Sequence, residues 1–211
     1  FHAWSAEEEW EAFLTERFRI GEPVTYTGAQ YLKEELLQGN SRCWSKLYRR
    51  SLIGKIRFQK GLSIGEDMLF LTELLGYARK VSEIDYPGYG YYQNVRGAMN
   101  RPFTPAYMDQ ITCWELARDR ILVVDHNLEA KVTSILIMGI MLVAGKLAML
   151  SASDRRKNAQ YIQICRDKLK QELQVPGAYE LLSGGYRLKA KMFAAAPWLY
   201  LYGYHFRKYK G

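Results

Sequence analysis

Cysteine and histidine are scarce in this chain of 211 residues, and neither is clustered. The three cysteines, Cys43, Cys113 and Cys165, lie far apart and form no Cys-x-x-Cys pair, so neither a disulfide framework nor a thiolate metal centre is indicated. They read as free thiols in a reducing compartment, most simply the cytoplasm. His2, His126 and His205 are equally dispersed, and no histidine metal site is expected. Acidic residues run short toward the C-terminus. From Ser153 onward there are 12 Lys/Arg against 4 Asp/Glu, whereas the first 152 residues hold 18 of each. The net charge of +8 therefore belongs to the last quarter, and a basic patch of that kind suits an anionic surface. Long apolar runs are also rare. The one that stands out is Val132 to Leu150, interrupted only by Thr133, Ser134 and Lys146. It approaches the roughly 20 residues of a membrane span, but Lys146 lies well inside it. It is expected to be the central helix of a soluble bundle.

What is present is a hydrophobic fraction of 48%, typical of a globular chain long enough to bury a core. Helix signals dominate. Ser5-Ala6-Glu7-Glu8 is a capping box opening a helix to Arg19, ended by Gly21 and Pro23. Thr27 caps a helix over 28–38 with Tyr31, Leu32, Leu36 and Leu37 inward, and Gly39-Asn40 stops it. Arg42 to Tyr48 is short and aromatic, a strand or an irregular lead into a turn at 49–53. Ile64 to Arg79 reads as a helix with a broad apolar stripe built on Met68, Leu71 and Leu75. Short strands are expected at 81–85 and 89–95. Asn100-Arg101-Pro102 marks a boundary. Beyond it, Thr104 with Pro105 opens a helix to about 126, Asn127 caps the apolar helix, and Ser153-Asp154 caps a charged helix to about Gln174 with Ala159, Ile162, Cys165 and Leu169 inward. Gly184-Gly185 reads as a turn, and Pro197 divides the aromatic, basic tail into two helices.

The chemistry is concentrated between Cys43 and Arg96. Gly65-Glu66-Asp67 puts two acids in the first turn of a helix, where the unpaired N–H groups and the helix dipole favour negative charge. Taken alone this is a helix cap. It is preceded by Trp44-Ser45-Lys46-Leu47-Tyr48-Arg49-Arg50 and followed by Tyr91-Tyr92-Gln93-Asn94-Val95-Arg96. Lys46 and Arg96 suit a phosphate or a sugar hydroxyl, and Trp44 suits the apolar face of a sugar ring.

An aromatic-x-Lys-Leu-Tyr segment, a Glu-Asp pair at a helix start and a later Tyr-rich strand, in this order, resemble the acceptor-side half of family 2 glycosyltransferases of the GT-A fold. These are the bacterial enzymes that build polysaccharide and surface glycans. The resemblance covers Gly39 to Arg101, under a third of the chain. Gln93-Asn94-Val95-Arg96 matches the Gln-x-x-Arg of processive members, but Gly97 stands where those have Trp. The resemblance implies transfer of a sugar from a nucleotide-sugar donor to a hydroxyl of a glycan acceptor, with inversion. It implies Asp67 as the base that takes the acceptor proton, Glu66 as its orienting neighbour, and Trp44, Lys46, Tyr92 and Arg96 as substrate-binding residues.

The family's donor-binding half precedes this region and ends in an Asp-x-Asp motif that holds Mn or Mg. This chain has no Asp-x-Asp. It is therefore expected to be the C-terminal part of a larger enzyme, inactive alone, with the divalent metal bound only in the parent. The expected architecture is mainly helical α+β: an acceptor-side piece over 1–101 with a few short strands, then a helical bundle over 102–211. The basic, aromatic tail adds an anionic membrane as an expected partner, placing the protein in the cytoplasm at the inner face of the membrane. Two alternatives from other classes stand beside this reading. One is a non-catalytic helical interaction module in which Asp67 is only a cap. The other is a basic nucleic-acid-binding domain, although no recognition motif accompanies the tail and nucleic acid is not an expected partner.

Overall fold

The computed structural model describes residues 3–4, 21–86, 88–92, 97 and 101–209. The chain is mainly helical α+β, with two small two-stranded sheets among the described residues. The expected helix over 5–19 and Gln93 to Arg96 lie outside the described residues. The chain divides into two compact units. One comprises the residues up to Ile56 with Leu74–Arg101; the other comprises Arg57–Glu73 with Pro102–Gly211.

The first unit carries both sheets. Strand β1 (Ala3–Trp4) pairs in parallel with β4 (Tyr91–Tyr92), and β2 (Val24–Tyr26) pairs antiparallel with β3 (Val81–Glu83), setting Thr25 opposite Ser82. Helix α1 (Gly28–Glu34) starts at a capping box. The Gln30 amide donates to Thr27 Oγ1 at 3.2 Å, and the Thr27 amide donates to Gln30 Oε1 at 2.8 Å. A 3₁₀ turn, Leu36–Gln38, continues it to Gly39, whose φ of 114° closes the helix in the left-handed region. Tyr31, Leu32, Leu36 and Leu37 are all buried, as the pattern predicted. Gly28 is required by close approach rather than by φ: a Cβ there would lie 2.2 Å from the Leu75 carbonyl oxygen, and its amide donates to Ala78 O at 3.0 Å. Residues 42–48 are irregular, leading into the short helix α2 (Arg50–Ile53).

Helix α3 (Glu66–Leu75) is shorter than its apolar stripe suggested, because the chain turns at Gly76 through bonds from Tyr77 to Leu74 O and from Ala78 to Leu75 O. Met68 to Leu71, Leu74 and Leu75 are all buried, so apolar residues surround the helix axis, in keeping with packing on more than one side.

The second unit is a bundle around α5 (Glu129–Ala148). This helix packs against α4 (Asp109–Val124), α7 (Ala159–Glu172), α8 (Gly184–Ala195) and α9 (Pro197–Tyr209). The run His126–Ala148 is long and apolar enough to cross a membrane by length and composition, yet it is mostly buried inside the bundle. Its glycines admit neighbours: Gly139 faces Trp114 and Gly145 faces the Tyr204 hydroxyl. His205 Nδ1 lies 2.9 Å from Ala148 O at the C-terminal end of α5.

Several expected boundaries move. The cap before α5 is Asp125, which accepts from the Asn127 amide at 2.9 Å, rather than Asn127 itself. Ser151, not Ser153, caps the charged segment by accepting from the Asp154 amide at 3.1 Å. That segment is two helices, α6 (Ala152–Lys157) and α7, broken at Asn158, and Ala159 is exposed rather than inward. Gly184-Gly185 is the first turn of α8 rather than a turn between helices, with Ser183 as the extended residue before it. Pro197 opens α9 as expected.

Candidate functional site

The acids at the start of α3 are held by backbone and side-chain contacts within the second unit. Gly65 has φ of 91°, a conformation that favours glycine, and a Cβ there would lie 3.0 Å from Cys113 Cβ. The preceding residues are tied to α4: the Ser63 amide donates to Asp109 Oδ2 at 2.8 Å, and the Cys113 thiol donates to Ile64 O at 3.4 Å. Farther along, Arg120 pairs with Glu73 at 3.0 Å and reaches Leu69 O at 3.5 Å. Phe58 stacks on Phe70 with ring centroids 4.5 Å apart. The first turn of α3 is thus fixed in position, and Glu66 and Asp67 stand half-buried at its mouth. Burial, with the negative charges of Glu66 and Asp109 beside it, pushes the Cys113 thiol up to about 12. Cys113 is consequently a protonated packing residue at neutral pH and not a nucleophile.

In the first unit the aromatic segment forms a small closed loop. The Tyr48 hydroxyl donates to Cys43 O at 2.8 Å, and Ser45 sits inside with φ of 61°. Trp44 and Lys46 flank Ser45 and meet different partners. Trp44 stacks on Tyr89 (5.1 Å, 15°) and on Tyr91 (4.8 Å, 20°), while the Arg42 guanidinium lies 5.4 Å from its ring centre. The tyrosines remain 40% and 38% exposed, so the stack is a surface feature with a cation beside it.

Lys46 Nζ donates to Asn40 Oδ1 at 2.6 Å, and Asn40 Nδ2 donates onward to the Tyr31 hydroxyl at 2.9 Å and Glu35 Oε2 at 3.4 Å. Burial together with Glu83 and Glu35 pushes the Tyr31 phenol up to about 12. Burial and Glu35 also raise the Glu83 carboxyl, against the opposing pull of Lys46. Lys46 therefore belongs to a polar network with two carboxylates in its field.

The structure thus places Glu66 and Asp67 together in one unit, and Trp44 and Lys46 in the other. Tyr92 lies in β4, its backbone register opposite Trp4. Arg96 is outside the described residues. Sequence reasoning missed Tyr89 as the partner of Trp44. The available signal was the spacing of Tyr89 and Tyr91, which sets both side chains on one face of an extended chain. Asn40, read as a helix stop, is also the hub of the Lys46 network. Among the described residues no three His, Cys, Asp or Glu side chains converge to hold a metal ion. No family model, no curated protein and no solved structure matches this chain.

Proposed function

We propose that this chain is the acceptor-side portion of a nucleotide-sugar-dependent glycosyltransferase of the family 2 type, acting on a hydroxyl of a growing glycan. The observation that carries the reading is the stack of Trp44 on Tyr89 and Tyr91. Segments 45 or more residues apart, which the resemblance requires to shape one acceptor pocket, meet in space and present exposed aromatic surface. Aromatic rings offer a sugar an apolar face, and the hydroxyls of Tyr89 and Tyr91 offer hydrogen bonds at its rim. Arg42, beside the stack, would meet an anionic substituent or phosphate.

Asp67 would accept the proton of the acceptor hydroxyl as that oxygen attacks the anomeric carbon and the nucleotide diphosphate leaves. Support for that role is its position: half-exposed, in the first turn of a ten-residue helix whose dipole favours a negative charge there. Glu66, next to it and near enough to Cys113 for its charge to help raise that thiol, would be the neighbour that orients Asp67.

The test is Trp44→Ala in the proposed transferase, with initial rates measured against both substrates. The expected result is an acceptor KM raised by roughly tenfold, the equivalent of losing one ring-stacking contact, with the donor KM unchanged. An unchanged acceptor KM would remove the stack from the acceptor site and leave the non-catalytic interaction module as the better reading.

A further inference from the structure

Helix α9 is apolar on two opposite faces. Tyr200 and Leu201 are buried in the bundle, and half-buried Tyr204 lies against Gly145 of α5. The opposite face is formed by Trp198, Leu199, Tyr202 and Phe206, which fall within about 100° of the helix circumference. Trp198 is 64% exposed, Tyr202 59% and Phe206 62%. A helix that is hydrophobic all round is normally covered on every side. Within the described residues the Arg155 guanidinium lies 4.6 Å from the centre of the Tyr202 ring, and the outer stripe remains largely exposed. The adjacent helix α8, which packs on α9, exposes Arg187, Leu188 and Lys191 in the same manner, with Leu188 69% exposed.

The C-terminal segment that carries this stripe has charge of one sign. After Glu180 the chain contains Arg187, Lys189, Lys191, Arg207, Lys208 and Lys210, and no Asp or Glu. A second copy of the chain would bring those cations against their own counterparts, which disfavours self-pairing. Nucleic acid would satisfy the cations and stack on the aromatics, but it offers aliphatic Leu188 and Leu199 nothing to enter. A bilayer surface with anionic headgroups satisfies all three groups. Acyl chains receive the leucines and Phe206, the headgroup layer receives the amphipathic Trp198 and Tyr202, and the lipid phosphates meet the cations.

We infer that the outer face of α9, flanked by Arg187, Leu188 and Lys191 of α8, is a docking surface for an anionic lipid bilayer, lying in its interface rather than crossing it. The inference is independent of the glycosyl-transfer reading, since none of these residues belongs to that site.

The experiment is co-sedimentation of the 211-residue chain with phosphatidylcholine vesicles, with and without about one-quarter phosphatidylglycerol. The expected result is binding to the anionic vesicles that is lost between about 50 mM and 500 mM salt, with little binding to the neutral ones. Trp198→Ser with Phe206→Ser should weaken partitioning by at least about tenfold at unchanged helical circular dichroism, because the replaced rings are exposed in the folded chain. Arg187→Glu with Lys191→Glu should weaken it by at least about 25-fold, about fivefold for each of the two cations lost. Leu199→Ser gives a second probe of the same stripe should the double variant lose structure. The inference is overturned by equal binding to neutral and anionic vesicles, or by absence of binding at low salt. It is overturned equally by binding that ignores the Trp198, Phe206 and Leu199 substitutions, or by Trp198-dependent dimerisation or RNA binding in place of vesicle binding.

Discussion

Replacing Asp67 by Asn separates the two things a carboxylate at a helix start can do. Asn retains the shape and an oxygen able to accept a capping bond, so the start of α3 should survive. It removes the basic oxygen pair. Under the proposed glycosyl transfer, Asp67→Asn should lower turnover by at least about 100-fold, with donor affinity and melting temperature nearly unchanged. A capping-only role predicts the reverse: near-normal turnover and at most about 1 kcal/mol of lost stability. Glu66→Gln is the companion measurement. If it abolishes transfer while Asp67→Asn does not, the base is Glu66, and if both variants remain active the motif is structural.

How far the site can be read at this scale differs by residue. The two acids were visible because a glycine, two carboxylates and an apolar run are a purely local pattern. The partners of Trp44 were not, because Tyr89 and Tyr91 reach it only through tertiary folding across more than forty residues. The Lys46–Asn40–Tyr31 network was hidden for a related reason: Asn40 looked fully used as a helix stop.

At the scale of elements, legibility followed the chemistry of helix ends. Thr27, Gly39 and Pro197 fix their boundaries by capping or ring geometry, and these were read directly. Strand β2 was missed because its three residues have two exposed side chains and one half-buried, leaving no alternating pattern to detect. It exists because β3 supplies its hydrogen bonds. The Gly184-Gly185 pair misled because the first turn of a helix lacks intrahelical N–H partners and accepts residues that would weaken its interior.

Two buried polar groups of the bundle allow quantitative tests. Arg118 of α4 pairs with Glu172 of α7, whose side chain is only 3% exposed. Arg118→Ala should cost about 3–5 kcal/mol in chemical denaturation by stranding a buried charge, whereas Arg118→Met with Glu172→Leu should restore most of the loss. Within α5, Thr133 Oγ1 is buried without a hydrogen-bond partner. Thr133→Val keeps the shape and removes that cost, so the melting temperature should rise, by the equivalent of about 1 kcal/mol.

For the whole molecule, the balance of charge and burial sets the response to alkali. The chain carries +8 at neutral pH and loses net charge near its isoelectric point of about 9.3, so electrostatic repulsion between copies is weakest there. Burial raises both Cys113 and Cys165 to about 12, from an ordinary value of 9.0, and both belong to the helical unit. In the unfolded chain these thiols would ionise near their ordinary value; in the folded chain they stay protonated until about pH 12. Between those limits the unfolded state binds fewer protons than the folded state, so stability falls as pH rises. The contribution is fully present below about pH 9 and is lost on approach to pH 12. Tyr31, raised from 10.0 to about 12 in the other unit, acts in the same direction over the upper part of that window. Because two units need not unfold as one, the transition should be followed by helical circular dichroism, which reports chiefly on the bundle. The urea midpoint of that transition should be flat from about pH 7 to 8.5 and fall progressively from about pH 9 to 11. The Cys113→Ala, Cys165→Ala variant would be less stable at neutral pH because it opens cavities. Its midpoint should nonetheless fall less steeply across the same interval. A variant whose midpoint falls as steeply as that of the unaltered chain would show that buried thiols do not govern the alkaline limit.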